Sequence, residues 1–246
     1  MRRVSPIDHS GAAVTTPCVL CHAIGVTAES GTHTWNGSGN PNPSDPSATP
    51  TSSHVPELVL CALDESLAQA WHTVADAVGD PVRVHRGSVL DIAAQAVVSP
   101  ANSYGWMRGG IDAVYAQAFP GIEQQVRSII LAYHGGELPI GEAVVVPTGE
   151  AVPEWLISAP TMREPGERLP DDTVHPYLAA KAVFLLWRDG QFEHGTRFRD
   201  IVKTIAMPGL GTGVGGVSPA TCARQVAAAW EEVFPKDRQD RRPAES

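Results

Sequence analysis

Basic charge is in short supply. Lys and Arg number 18 against 27 Asp and Glu, a net charge of −9, which argues against bulk electrostatic binding to nucleic acid or to an anionic membrane while leaving room for a local basic patch. Long apolar runs are missing too, since no segment approaches the roughly 20 residues that a membrane-spanning helix needs. The opening Met-Arg-Arg has the charge of a secretion signal but no apolar core behind it, so the expected location is cytoplasmic. Cysteine is sparse. Four in 246 residues, without a regular framework, fit a reduced protein that has no structural disulfides. No segment recurs at a fixed period, which excludes a repeat architecture.

With 43% hydrophobic residues in 26.1 kDa, the chain can bury one sizeable core. Residues 37–53 contain no aliphatic side chain larger than Ala apart from proline, too little apolar area to offset the entropy of ordering them. Residues 1–54 are therefore expected to be a flexible extension, 55–235 the folded α/β domain and 236–246 a charged, frayed tail. Cys18, Cys21 and His22 have the spacing of a haem attachment site and supply three zinc ligands. Haem attachment needs export, and zinc needs a fourth ligand from His9 or His33. They are read as incidental residues of the extension, and a redox or metal protein is the reading they would support.

From residue 57 onward, strand and helix patterns alternate. Strands are expected at 58–63, 82–85, 96–98, 143–146, 155–157 and 201–207; helices at 64–78, 111–119, 121–133, 177–187 and 219–234. Gly79 and Gly135-Gly136 end two of the helices, and Pro219 suits the first turn of the last. The pattern predicts a three-layer α/β/α sandwich around a central, largely parallel or mixed sheet.

Two loops carry the chemistry. The first follows the strand ending at Val98, where Ser99-Pro100 breaks the run, Asn102 and Gly109-Gly110 form a polar loop, and Asp112 opens a helix. Strand, loop and helix in this order is where α/β folds place ligands. Asn102 is expected to turn its amide into a cleft that Asp112 faces from the helix start. The bland alternatives are a post-strand turn for Asn102 and a helix-dipole complement for Asp112, worth roughly 0.3 to 1 kcal/mol.

The second loop, residues 207–218, holds Gly209, Gly211, Gly213, Gly215 and Gly216 between a strand and a helix. Glycines there let backbone amides close on an anion, phosphate above all, and Gly213 is expected to need both close approach and a positive φ. Gly211, Gly213 and Gly216 fit a dinucleotide-binding pattern, but no further strand ending in an acidic residue follows, and the Gly-Lys-Ser/Thr of a Walker loop is absent.

Together the loops resemble those of the macrodomain, an ADP-ribose-binding α/β/α module, over about residues 57–234. Its Gly-Asp-Ile and Asn-Ala-Ala-Asn motifs lie over Gly87-Ser88-Val89 and Ser99-Pro100-Ala101-Asn102 without a gap. Its Gly-Gly-Val-Asp matches Gly109-Gly110-Ile111-Asp112, and its central Gly-Glu-Ala segment matches Gly141-Glu142-Ala143 with Thr148-Gly149. Its pyrophosphate loop lies over residues 208–216. The resemblance implies that Asn102 holds the distal ribose and Asp112 positions or activates water. Ser88, Val89, Ser99, Trp106, Arg108, Gly109, Gly110, Gly211, Thr212, Gly213, Val214, Gly215 and Gly216 are the implied ligand contacts. The departures are specific: Ser88 replaces an Asp that accepts the adenine amino group, and Ser99-Pro100 replaces Asn-Ala. Met107-Arg108 replaces glycines, with Arg108 expected to reach the pyrophosphate. Gly215 replaces an aromatic over the distal ribose, a role for which Trp106 is the substitute, with a packed core residue as the alternative.

The implied function is a hydrolase that removes ADP-ribose from acidic side chains of modified proteins through a positioned water. Its expected partners are ADP-ribose and ADP-ribosylated proteins, with no cofactor, metal, membrane or direct nucleic-acid binding. A non-catalytic ADP-ribose reader and an O-acetyl-ADP-ribose deacetylase share the same site and stay open as alternatives.

Overall fold

A computed structural model describes residues 57–192 and 195–235; the expected extension, its Cys18, Cys21 and His22, and the charged tail lie outside them. The strands are β1 (Glu57–Ala62), β2 (Val82–Arg86), β3 (Ala96–Ser99), β4 (Val144–Pro147), β5 (Trp155–Ser158) and β6 (Thr204–Met207). The helices are α1 (Glu65–Val78), α2 (Gly110–Ala118), α3 (Ile122–His134), α4 (His175–Asp189), α5 (Phe198–Ile201) and α6 (Pro219–Val233). One mixed sheet forms in the order β2-β1-β6-β3-β5-β4, antiparallel only between β4 and β5.

Strand period 2 builds the layers directly. Leu58 and Leu60 of β1 join Trp71 of α1, Val183 of α4 and Val226 of α6 in one apolar cluster, whereas Val59 and Cys61 join Tyr115 of α2 and Ile129 of α3 in another. Both faces of the sheet are thus covered, as a largely parallel sheet requires. This is the expected three-layer sandwich. The helix starts and stops are local chemistry: Asp64 accepts the Leu67 N–H at 2.9 Å to cap α1, and Ser218 caps α6 ahead of Pro219.

One element departs from expectation. Residues 201–203 do not extend β6, because Phe198–Ile201 turns into the short helix α5. Buried Phe198 packs near Trp155 and Phe192, and the Val202 carbonyl accepts the Trp187 Nε1–H at 2.8 Å. Those contacts hold the apolar Ile201-Val202 pair out of the sheet.

Candidate functional site

The parallel strands β1, β2, β3 and β6 deliver their carboxyl ends to one edge of the sheet, and a cleft of about 520 Å³ opens there. Of the residues singled out from sequence, Ser88, Val89, Asn102, Trp106, Arg108, Gly109, Gly110, Asp112, Gly211, Thr212, Gly213, Val214 and Gly215 line it. Ser99 and Gly216 do not. Sequence reasoning missed Leu63 and Asp64 of the loop after β1, Leu67 in the first turn of α1, and the loop after β5, with Met162, Pro165 and Gly166.

The loop after β3 is clamped from two sides. The β3–β5 ladder runs on past the strands, with the Thr161 N–H on the Ala101 carbonyl at 2.9 Å and a bridge between Asn102 and Met162. Met107, where the family has a glycine, is buried against the α2/α3 layer, and its N–H donates to the Glu123 carboxylate at 2.8 Å.

Asn102 sits in this loop, yet its amide closes mainly on the loop itself. Its Oδ1 accepts the N–H groups of Tyr104 and Trp106 at 3.2 Å each, and its Nδ2 donates to the Trp106 carbonyl at 2.7 Å. A primary amide has two N–H donors, so one remains for a ligand. The expected inward-pointing amide is therefore first a loop-shaping group.

Asp112 lies in the first turn of α2, lines the cleft and is only 7% exposed. Burial pushes its carboxyl up to about 6, opposed by the Ser99 hydroxyl, which donates to Oδ1 at 2.5 Å. Ser99, expected to touch the ligand, instead lies buried beneath the loop and holds this carboxylate. The signal was available: Ser99 shares the strand face of Val97, and Val97 packs in the α2/α3 layer from which Asp112 comes. Beside them Tyr115 donates to the Val98 carbonyl at 3.0 Å and stays neutral, because burial and the neighbouring Asp112 push its phenol far up. Cys61 also lines the cleft; burial pushes its thiol up to about 12, so a resting thiolate nucleophile is excluded.

The glycine loop works through its backbone. Among the described residues, the N–H groups of Gly211, Thr212, Gly213, Val214 and Gly215 donate to no protein acceptor, while their neighbours close the loop, Gly216 N–H to the Gly213 carbonyl at 3.1 Å and Val217 N–H to the Gly211 carbonyl at 3.0 Å. Successive unpaired amides in such a turn make an anion-binding concavity. The positive φ values fall at Gly211 (69°) and Gly216 (75°), not at Gly213. A Cβ at Gly213 would meet nothing within 4 Å, whereas one at Gly215 would stand 2.6 Å from the Gly211 carbonyl oxygen. A side chain at Gly213 would therefore meet no protein atom, whereas Gly215 is kept small by the loop's own closure. Opposite, Gly109 gives the start of α2 no side-chain cap, which leaves its first amides without a side-chain partner where Gly110, Ile111 and Asp112 line the cleft.

Ser88, expected to accept from a base, uses its hydroxyl oxygen to accept the Leu90 N–H at 3.2 Å, while its own N–H donates to Asp91 at 2.9 Å. Arg108, expected at the pyrophosphate, has its guanidinium 4.0 Å from the centre of the Trp106 ring, and Arg127 stands 3.4 Å from that centre. Trp106 lines the cleft, but its ring is engaged by cations.

The family model of the Macro domain matches residues 98–226, from the end of β3 into α6. The chain belongs to the macrodomain family. The chain is also similar to two uncharacterized relatives: one from Aeropyrum pernix is 35% identical over 152 residues, covering 61% of this chain and 71% of the relative. Another, from Aquifex aeolicus, is 32% identical over 155 residues, covering 63% and 84%. Among solved structures, the macrodomain of Mycobacterium tuberculosis DarG is 21% identical with a TM-score of 0.49, covering 61% of this chain and 89% of that one. An Oceanobacillus iheyensis macrodomain variant with ADP-ribose is 16% identical with a TM-score of 0.49, covering 61% and 77%. The matched macrodomain segment contains both loops of the cleft. β1, α1 and β2 lie ahead of it, so Leu63, Asp64 and Ser88 reach the cleft from outside the family model.

Proposed function

We propose that this macrodomain binds ADP-ribose in the cleft and hydrolyses it from acidic side chains of ADP-ribosylated proteins. The observation that carries the proposal is the placement of one buried carboxyl, Asp112, on the same cleft as the unpaired amides of residues 211–215. The amides suit a pyrophosphate, and the uncapped start of α2 adds favourable potential for negative charge. Along the strand order, the β2 and β1 loops would take the base, the β6 loop the phosphates, and the β3 loop the distal ribose with its acceptor. An ADP-ribosyl group on a carboxylate is an activated ester, so holding a water in line supplies much of the catalysis, up to roughly 7 to 11 kcal/mol. A carboxyl pushed up to about 6 is largely ionised at neutral pH yet basic enough to take a proton from that water, typically worth a factor of about 10² to 10⁴.

Calorimetry with ADP-ribose, run beside release assays on an automodified protein, tests this. Binding together with release supports the hydrolase. Absence of ADP-ribose binding sinks it. Binding without release supports a reader, which the loop-bound amide of Asn102 favours. O-acetyl-ADP-ribose in the same assay separates the deacetylase, which would use the same water.

A further inference from the structure

The cleft ends, on its β3 side, at a pair of guanidinium groups that the proposed hydrolysis does not use. Trp106 lines the cleft four residues beyond Asn102, and Arg108 and Arg127 lie 4.0 and 3.4 Å from its ring centre. Arg127 has an obvious partner on its own helix: Glu123 precedes it by one turn, the spacing at which helical ion pairs form. Glu123 is instead committed to the Met107 N–H at 2.8 Å. Among the described residues neither Arg108 nor Arg127 enters an ion pair, a state they share with Arg168, Arg197, Arg199 and Arg224; what sets the two apart is their common contact with one cleft-lining indole. Both are exposed. In a chain of net charge −9, two exposed cations held on one indole at the cleft make a local positive site.

We propose that Arg108, Trp106 and Arg127 form a cationic ledge that binds carboxylates flanking the modified residue, so that the preferred substrates are ADP-ribosylated acidic protein segments. The inference rests on the proposed function, because it places the acceptor at the β3 end. Stacking engages the guanidinium π face and leaves the in-plane N–H donors free for a carboxylate, with part of the side-chain entropy already lost to the ring contact. An acidic peptide fits better than a nucleic acid on two grounds. Charges are screened beyond about 8 Å at physiological salt, so two cations on an acidic protein attract a local pair of carboxylates without favouring a long polyanion. Single-stranded nucleic acid also needs an aromatic face on which bases stack, and here guanidinium groups engage the indole.

The test is calorimetry with two amide-linked ADP-ribosyl peptides, one with glutamates flanking the modified position and one with glutamines, and with ADP-ribose alone. Wild-type protein should bind the glutamate-flanked peptide about fivefold to tenfold tighter in low salt, a preference that 0.5 M salt, on the order of a 4 Å screening length, erases. Arg127→Gln should reduce the preference to about twofold or less, and Arg127→Glu should abolish or invert it, with ADP-ribose affinity unchanged in both. Equal affinities for the two peptides in wild-type protein that binds ADP-ribose would overturn the ledge and leave the hydrolase standing. Tighter binding of an ADP-ribosylated single-stranded oligonucleotide than of either peptide would overturn it in favour of a nucleic-acid acceptor. Failure to bind ADP-ribose at all would overturn both proposals.

Discussion

The two loops that face each other across the cleft are built in opposite ways. The β6 loop presents backbone: among the described residues the amides of 211–215 donate to no protein acceptor, and five of the residues from 209 to 216 are glycine. The β3 loop presents side chains, and each is held by another group: Asp112 by Ser99, Asn102 by the amides it caps, Met107 by Glu123. A backbone site tolerates changes of residue type until a Cβ intrudes. A side-chain site fails when one supporting partner goes. The difference predicts that substitutions in the glycine loop act on affinity, while those in the β3 loop act on turnover and its pH dependence.

The largest expected effect is at Asp112. Asp112→Asn should lower release of ADP-ribose from esters by a factor of about 10² or more while changing ADP-ribose affinity little, as measured by release assay and calorimetry. Stability supplies a second reading of the same variant. Burial raises the folded-state pKa from 3.8 to about 6, so the folded state holds this proton more tightly. The contribution to stability is present below about pH 4, declines as the pH rises through 6, and is lost above it. A change of that size corresponds to about 3 kcal/mol, against the roughly 0.3 to 1 kcal/mol a helix-dipole role would return. At pH 8 the thermal midpoint of Asp112→Asn should therefore be no lower than that of wild type. A clear loss of stability with turnover preserved would return Asp112 to a structural role.

Next in size is Gly213→Val, where affinity for ADP-ribose should fall by at least about tenfold, or roughly 1.4 kcal/mol. The thermal midpoint should stay put, because a Cβ there meets nothing in the protein. Gly215→Val is the contrast: its Cβ would press on the Gly211 carbonyl oxygen, so the loop itself should rearrange and the midpoint drop by measurable degrees. If Gly213→Val binds normally, the amides of this loop do not hold the ligand.

Much of this comparison was legible in the chain, and the limits have physical causes. Helix starts and stops were readable because terminal signals act over three or four residues, as with Pro219 in the first turn of α6 and the glycines that end helices; the Ser218 cap came only with the structure. Strands were readable from runs of β-branched residues, except where Ile201-Val202 imitates one while Phe198 is drawn into an aromatic cluster. The glycine loop and the Gly109–Asp112 turn were found because their chemistry is contiguous in sequence. Leu63, Asp64 and Met162 were not found, since they reach the cleft only through the pairing of β1 with β6 and of β3 with β5. Ser99 was noticed but misplaced: strand alternation fixes which face it shares, whereas the partner on that face comes from a helix 13 residues away. Arg108 and Trp106 were noticed too, but Arg127, from α3, was the missing member.

Ser99→Ala sharpens the β3 side on a smaller scale. The hydroxyl lowers the Asp112 pKa against burial, so its removal should move the acidic limb of the rate profile to higher pH. At pH 6 the release rate should drop several-fold, and at pH 8 it should recover to near wild type, as expected when the ionised base is required. A uniform loss at all pH values would mean that Ser99 only packs the loop.

The smallest expected effect lies at the far end of the cleft, at Ser88, where neither kind of construction is complete. Its hydroxyl oxygen already accepts the Leu90 N–H, and a hydroxyl is a weaker acceptor for an amino group than a carboxylate is. Ser88→Asp should therefore raise the preference for ADP-ribose over its hypoxanthine analogue by about threefold to tenfold, on the net scale of one ordinary hydrogen bond. Because Asp also caps a helical turn well, Leu90 keeps its partner and the midpoint should hold. An unchanged ratio in a folded variant would move base recognition to the neighbouring cleft-lining carboxylate. Asp64 has one oxygen committed to Ser66 at 2.6 Å and Leu67 at 2.9 Å and stays ionised, chiefly because of the Ser66 hydroxyl. Asp64→Asn, which retains a capping oxygen, would then be the variant that lowers the ratio.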